Sequence, residues 1–307
     1  MPAAIPKLEE HGTPPQNDPA IKIPISVIIP VRNEAHNLSR CMESLCDFGE
    51  VFVIDSRSTD ATVEIASSYG AKIVQFDYVG GWPKKRQWAM DTLSFANDWI
   101  LLLDADEMVT AELANEICQA IRDDQISGYF IRLQMHFLGR TLRHSGARFE
   151  KLSLFRRGKG HFECRLRDQD ISMCDMEVHE HVVVDGITAK LNQPLVHHNV
   201  ESLSRYIHKH DEYSNWEAKV WVEGQTDTEL PPSLTGRQAQ RRRWLRKKLF
   251  KLPGSPVLYF LYKYILRLGF LDGVPGLIYC GFQGVQFFHV KAKIYELSAR
   301  AMRVKQS

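Results

Sequence analysis

No run of about 20 unbroken apolar residues occurs in the 307-residue chain, so no segment stands out as a membrane-crossing helix. No CxxC pair occurs either. The six cysteines, Cys41, Cys46, Cys118, Cys164, Cys174 and Cys280, are scattered. That pattern reads as a reducing compartment and not as a disulfide framework. Charge of one sign is lacking overall, and a net charge of +2 supplies no global argument for nucleic acid. Glycine is missing from Val31-Arg-Asn-Glu34, the loop after the first apolar segment, so no glycine-rich phosphate loop stands there. Met1 to Ile23 is proline-rich, mixed in charge and without the apolar core of a signal peptide; it reads as a flexible arm.

What is present centres on Trp99-Ile-Leu-Leu-Leu103, five residues without a polar break, followed by Asp104-Ala-Asp106. The apolar run suits a strand buried on both faces of a parallel sheet. Ligands of open α/β sheets bind at the carboxyl ends of such strands. Two carboxylates spaced by two residues can meet one ligand set, and carboxylate oxygens are what Mg2+ or Mn2+ prefers. Such an ion would offset the charge of a diphosphate. The same residues also suit a strand that merely ends in an acidic turn.

Upstream, Ile25–Pro30, Glu50–Asp55 and Ala71–Gln75 read as strands that alternate with helical segments. Ser58, Thr59 or Asp60 suits the cap of the second helix, and Pro83 suits the first turn of the third. Alternation of this kind predicts right-handed βαβ units, a Rossmann-like α/β sheet flanked by helices. It brings Asn33, Glu34 and Asp55 to the same rim as Asp104 and Asp106. Asp55 equally suits a turn cap. Lys84, Lys85 and Arg86 suit either a solvated helix face or a phosphate-attracting helix start.

From Gly128 the pattern becomes that of a mixed or antiparallel continuation, with strands expected at Tyr129–Phe137, Lys151–Arg156 and Glu177–Asp185. In Glu177-Val-His-Glu-His181, strand alternation puts Glu180 with Val178 and Val182 on a mostly apolar side. Desolvation there would raise its pKa and suit it to proton abstraction; an ion-paired structural Glu is the other reading. His197-His198 ends the next apolar run, where a metal ligand or a diphosphate contact competes with simple packing; His198 is the candidate ligand. Ser202–Val222 reads as a helix.

Arg237–Lys251 carries eight basic residues and no acid, interrupted by Trp244, Leu245, Leu249 and Phe250. Aromatic and aliphatic segments at Pro256–Leu271 and Gly273–Val290 follow. This composition fits helices lying in a membrane interface, with Lys and Arg on anionic lipid. A packed charged helix, an oligomer face and a nucleic-acid patch are the alternatives. Aromatics beside the charge favour the membrane surface over nucleic acid.

Together, Ser26-Val-Ile-Ile-Pro30, Asn33-Glu34, Val53-Ile-Asp55 with Ser58-Thr-Asp60, and Asp104-Ala-Asp106 resemble family 2 glycosyltransferases of the GT-A fold over residues 24–200. Gly81-Trp-Pro-Lys-Lys-Arg86, Val178-His-Glu180, Leu268-Gly-Phe-Leu-Asp-Gly273 and Ala292-Lys-Ile-Tyr-Glu296 resemble a narrower bacterial group. That group includes lipopolysaccharide inner-core β-1,4-glucosyltransferases and related surface-polysaccharide enzymes. The resemblance implies a flexible arm at 1–23 and a GT-A domain at 24–230, with a nucleotide-sugar half (24–127) and an acceptor half (128–230). A basic, aromatic helical region at 231–307 would associate with membrane.

The resemblance further implies inverting transfer of one sugar from a nucleotide-diphosphate sugar, a UDP-sugar such as UDP-glucose. Pro30, Arg32, Glu34 and Asp55 would line the nucleotide pocket, Asp55 facing the base. Arg86 would touch the donor, Asp104 would lie near ribose or metal, Asp106 would bind Mg2+ or Mn2+, and Glu180 would be the general base. The acceptor would be a lipid-linked glycan or lipopolysaccharide at the cytoplasmic face of the bacterial inner membrane. Two features depart from relatives. Ser56-Arg57 replaces the usual Asp-Gly or Asp-Asn, and Arg242-Arg-Trp244 only superficially resembles the QxxRW helix of processive synthases, which favours single addition. A nucleotidyltransferase, which would carry a glycine-rich loop after the first strand, and a non-catalytic membrane-bound scaffold are the rivals. The sequence leaves the oligomeric state open.

Overall fold

The computed structural model describes residues 22–169, 173–177, 180–198, 202–223 and 228–304. The arm up to residue 21, Val178, His179 and Asn199 lie outside the described residues. β1 (Ile23–Val31), α1 (Ala35–Glu43), β2 (Phe48–Asp55), α2 (Thr62–Ser68), β3 (Lys72–Gln75), α3 (Lys85–Thr92) and β4 (Trp99–Leu102) alternate as the apolar periodicity requires. Next come β5 (Glu107–Met108), α4 (Ala111–Ala120), β6 (Ile126–Phe137), β7 (Arg140–Thr141), β8 (Phe149–Arg156) and β9 (Gly160–Phe162). β10 (Val182–Val184), β11 (Ile187–Lys190), β12 (Leu195–His198), α5 (Leu203–Glu223) and α6 (Gln238–Phe250) follow. The chain then runs through α7 (Ser255–Leu261), a π-helical turn at Tyr262–Leu266, a 3-10 turn at Gly269–Asp272 and α8 (Gly273–Val304).

Ten strands form one sheet in the order β3-β2-β1-β4-β8-β6-β12-β5, with β7 and β11 also paired to β6. β1 runs parallel to both β2 and β4. β8 reverses direction between β4 and β6, and β12 runs parallel to β6. The result is the mixed, mostly parallel, helix-flanked sheet of the GT-A type.

Burial follows the strand alternation. Ile25, Val27, Ile29 and Leu101 face α1 and α4 through Leu38, Met42, Leu113 and Ile117. Ile28, Ile54, Ile100 and Leu102 face the opposite layer with Ala89 and Phe95. Every residue of β4 is buried, which is why its sequence reads as an unbroken apolar run. Each such side chain contributes about 1.5–3 kcal/mol by leaving water.

One expectation needs correction. The strand expected over Glu177–Asp185 is only Val182–Val184, paired with β9. Glu177 instead spends its carboxylate on the backbone N–H groups of Arg86 and Gln87, the start of α3, at 3.3 and 2.9 Å. Those N–H groups have no partner inside the helix, so a carboxylate there outcompetes a strand ladder. The basic tail packs on the domain. Tyr279 and Cys280 of α8 share a core with Phe137 of β6 and Tyr206 of α5. Phe250, Phe287 and Val290 pack on Ala218.

Candidate active site

The loops after β1 and β2 are stitched to each other. Asn33 sits at φ 54°, a left-handed conformation that Asn tolerates better than most residues. From there its side chain accepts from the Thr59 N–H at 2.8 Å, while its own N–H donates to the Ser58 hydroxyl at 2.8 Å. Asp60 accepts from the Thr62 N–H at 3.1 Å just before α2, whose N-cap position falls to Ala61 and not to Ser58, Thr59 or Asp60. Pro30, Arg32 and Glu34 line a cleft of about 1160 Å³ that runs along the carboxyl rim of the sheet. Two cations of α5 hold Glu34 there, Arg205 at 2.6 Å and Lys209 at 3.2 Å. Asp55 is not part of the cleft wall. It is 1% exposed and accepts from the Ser58 hydroxyl at 2.5 Å and the Gln75 amide at 3.0 Å, which caps the turn after β2.

Asp104 and Asp106 both open onto the cleft. Asp104 pairs with Arg86 and, at 3.0 Å, with Lys151 of β8. Burial works to raise its pKa, but these two cations hold the carboxyl well below its ordinary value. Lys151 also meets Glu107 at 2.8 Å, and burial pushes that carboxyl up.

β12 pairs antiparallel with β5 and so lays the histidine pair against the acidic turn. The His198 N–H donates to the Asp106 carbonyl at 2.9 Å. The side chain that reaches the Asp106 carboxylate is His197, at 3.2 Å, whereas the His198 ring stacks on His136 at 4.8 Å. Strand alternation permits only one of two neighbouring histidines to face Asp106, and that one is His197, while both histidines line the cleft. Burial lowers the His197 pKa, but Asp106 more than offsets this and lifts it to about 9. Among the described residues no group of three or more His, Cys, Asp and Glu stands ready to enclose a metal.

The three cations at the start of α3 are neither solvated nor free. Lys84 is 0% exposed and Lys85 is 1% exposed. Lys85 donates to the Val31 carbonyl at 2.9 Å and pairs with Asp175 at 2.9 Å. Lys84 donates to the Met176 carbonyl at 3.1 Å and faces Glu180 at 3.8 Å. Glu180 accepts from the Arg165 N–H at 3.2 Å, and its other oxygen has no hydrogen-bond partner among the described residues. Burial drives the Glu180 pKa up, against the opposing pull of Lys84, to about 7. Glu180 is thus desolvated and faces a cation.

Lys151 and three arginines of α6 escaped the sequence reading as site residues. Arg242, Arg243 and Arg246 all line the cleft. Arg243 pairs with Glu163, and Arg246 meets Glu217 at 2.7 Å. Their helical spacing of three and four residues is the signal that marks one inward face of the basic run.

A family model described as Glycosyl transferase family 2 matches residues 26–182, just over half of the chain. The lipopolysaccharide core biosynthesis glycosyltransferase LpsC of Rhizobium meliloti is 28% identical over 291 residues, spanning 92% of this chain and 96% of that protein. An uncharacterized glycosyltransferase of Rickettsia typhi is 26% identical over 91% of this chain and 89% of its own length. Among solved structures, glucosyl-3-phosphoglycerate synthase from Mycobacterium tuberculosis is 23% identical, covers 36% of this chain and 43% of that chain, and superposes with a TM-score of 0.30. An overlap that small adds nothing to the family match.

The desolvation of Glu180 has a stability signature. Its folded pKa is raised, so it contributes no penalty below its unfolded pKa and costs stability as pH rises through about 7. Relative to Glu180→Gln, the wild-type protein is expected to lose about 2–3 kcal/mol of unfolding free energy between pH 5 and pH 8. Denaturant melts of both proteins across that range check it, and parallel stability curves would show that Glu180 titrates normally.

Proposed function

From the premise that this chain belongs to glycosyl transferase family 2, we propose that it transfers a single sugar from a nucleotide-diphosphate sugar, a UDP-sugar, to a hydroxyl of a lipid-linked or lipopolysaccharide-type glycan, with inversion. The observation that carries this reading is the sharing of one cleft by the Asp104/Asp106 turn and a desolvated, half-satisfied Glu180.

The chain's own groups divide the work. Pro30, Arg32 and Glu34 form the wall against which the nucleotide is set. Arg86 and Lys151 keep Asp104 ionised and bring positive charge to the place where diphosphate charge grows. Glu180, with a pKa near 7, takes the proton from the acceptor hydroxyl as the hydroxyl attacks the anomeric carbon. Lys84 stabilises the carboxylate form of Glu180 that is competent to accept it.

Carboxylate oxygens and one imidazole fit Mg2+ or Mn2+ whose remaining ligands come from the diphosphate, and Asp106, with Asp104 and His197 beside it, would hold the ion. When bound, such an ion offsets negative charge on the leaving diphosphate. Without one, His197 supplies that positive charge to Asp106.

The same reading sets the enzyme on an anionic membrane surface. No single described helix is long and apolar enough to cross a membrane, and the pair Ser255–Leu266 and Gly269–Arg300 is bent by 71°. Yet Val257, Ile265, Leu266, Phe270, Leu271 and Val274 are 46–74% exposed on that bend. Lys247, Lys248, Lys251 and Arg267 are exposed nearby in the chain. An apolar ridge beside unneutralised basic residues suits insertion at headgroup depth.

Two outcomes are expected. Glu180→Gln should lower transfer by about 10²–10⁴-fold, the usual worth of a general base, and Asp106→Ala should abolish metal-stimulated release of nucleoside diphosphate from a donor panel. Near-normal turnover in either folded variant removes that residue from the mechanism. The paired change Leu266→Asp and Val274→Asp should weaken co-sedimentation with phosphatidylglycerol vesicles by about tenfold or more. Unchanged sedimentation would assign the ridge to something other than lipid.

A further inference from the structure

The part of the cleft walled by α6, the π-helical turn and α8 has a chemistry that donor binding does not use. Lys263 lies on the π-helical turn, is 5% exposed and lines the cleft. Its ammonium stands 5.6 Å from the ring centroids of both Tyr259 and Tyr279. Gly146 lets the backbone come close to it, since a Cβ there would lie 3.2 Å from the Lys263 nitrogen. Among the described residues no carboxylate, carbonyl or hydroxyl pairs with that nitrogen.

The charged groups that face Lys263 are Arg242, Arg246 and Arg267, all of the same sign. Arg246 is neutralised by Glu217 at 2.7 Å. Arg242 is not: it donates to the carbonyls of Gly146 and Arg148 and lies over the Phe149 ring at 4.2 Å. Asp272, buried close by, already accepts from the N–H groups of Arg143 and His144 and from the Ser145 hydroxyl. Burial, with Arg242 adding to it, pushes the Lys263 pKa down to about 7. Two desolvated cations with no counter-charge are costly, and an arriving anion removes that cost.

We propose that Lys263 and Arg242, framed by Tyr259 and Tyr279, form a subsite for an anionic oxygen group, a phosphate or a carboxylate, carried by the acceptor. The subsite rests on the reading of the cleft as the place where donor and acceptor meet, and it narrows the acceptor class to glycans bearing such a group. Lys263 is then a specificity residue: it recognises the acceptor's charge while Glu180 acts on its hydroxyl.

The test uses the full chain saturated with UDP and Mg2+, so that the donor site is filled, at constant ionic strength. Inorganic phosphate and acetate are titrated separately, and melting temperature is read. Phosphate is expected to stabilise the wild type, with its apparent Kd raised about tenfold or more in Lys263→Met and largely restored in Lys263→Arg. Stabilisation by phosphate alone assigns a phosphate group; stabilisation by acetate as well assigns a carboxylate too. With no anion present, Lys263→Met should melt no lower than wild type, because it removes an uncompensated buried charge, and this doubles as the check on folding. No response to either anion in the wild type, or an equal response in Lys263→Met, overturns the subsite. The UDP response is a separate readout: if it fails while the phosphate response follows Lys263, the donor reading falls and the anion site stands.

Discussion

The amino end of α3 is the constraint on which the site depends. Three successive cations leave it for three different carboxylates: Lys84 to Glu180, Lys85 to Asp175 and Arg86 to Asp104. The two N–H groups beside them are satisfied by Glu177. One short helix start thus ties the acidic turn after β4 to the segment that carries Glu180, over a sequence separation of about 90 residues. Buried ion pairs contribute little net stability, but breaking one leaves a charge stranded. Their value here is positional, since the groups that would handle a diphosphate and a proton are set by the same four residues.

The C-terminal helices extend this arrangement instead of standing beside it. α6 turns Arg242, Arg243 and Arg246 into the cleft, and its outward residues Arg241 and Lys248 remain in solvent. A single basic helix therefore has two faces with two uses. The inner face walls the cleft, and the outer face is solvent-exposed. On the proposed reading, the element that would meet the lipid surface is also a wall of the cleft.

How much of this was legible in the sequence depends on how local each cause is. β1, β2 and β4 show themselves through apolar runs, the rim residues Glu34, Asp104 and Asp106 follow from strand ends, and Pro30 and Arg32 follow from the family resemblance. Asp55 sits at a strand end too, yet Ser58 and Gln75 claim it, a competition that strand position does not reveal. Lys84–Arg86 looks like any short charge run because its partners lie far along the chain. The segment at Glu177 alternates like a strand, but the open end of α3 supplies a stronger use for its carboxylate. The histidine pair shows the limit of motif reading: residue types place a ligand there, and only the pairing of β12 with β5 chooses His197 over His198.

The account stands or falls on Glu180 being a proton acceptor whose affinity is set by burial and restrained by Lys84. The most direct measurement is the pH dependence of the single-turnover transfer rate in the wild type and in Lys84→Met. The expected result is a rate that rises with an apparent pKa near 7 in the wild type and about one unit higher in the variant, since the cation favouring the carboxylate is gone. A limb that stays in place when Lys84 is removed would contradict it.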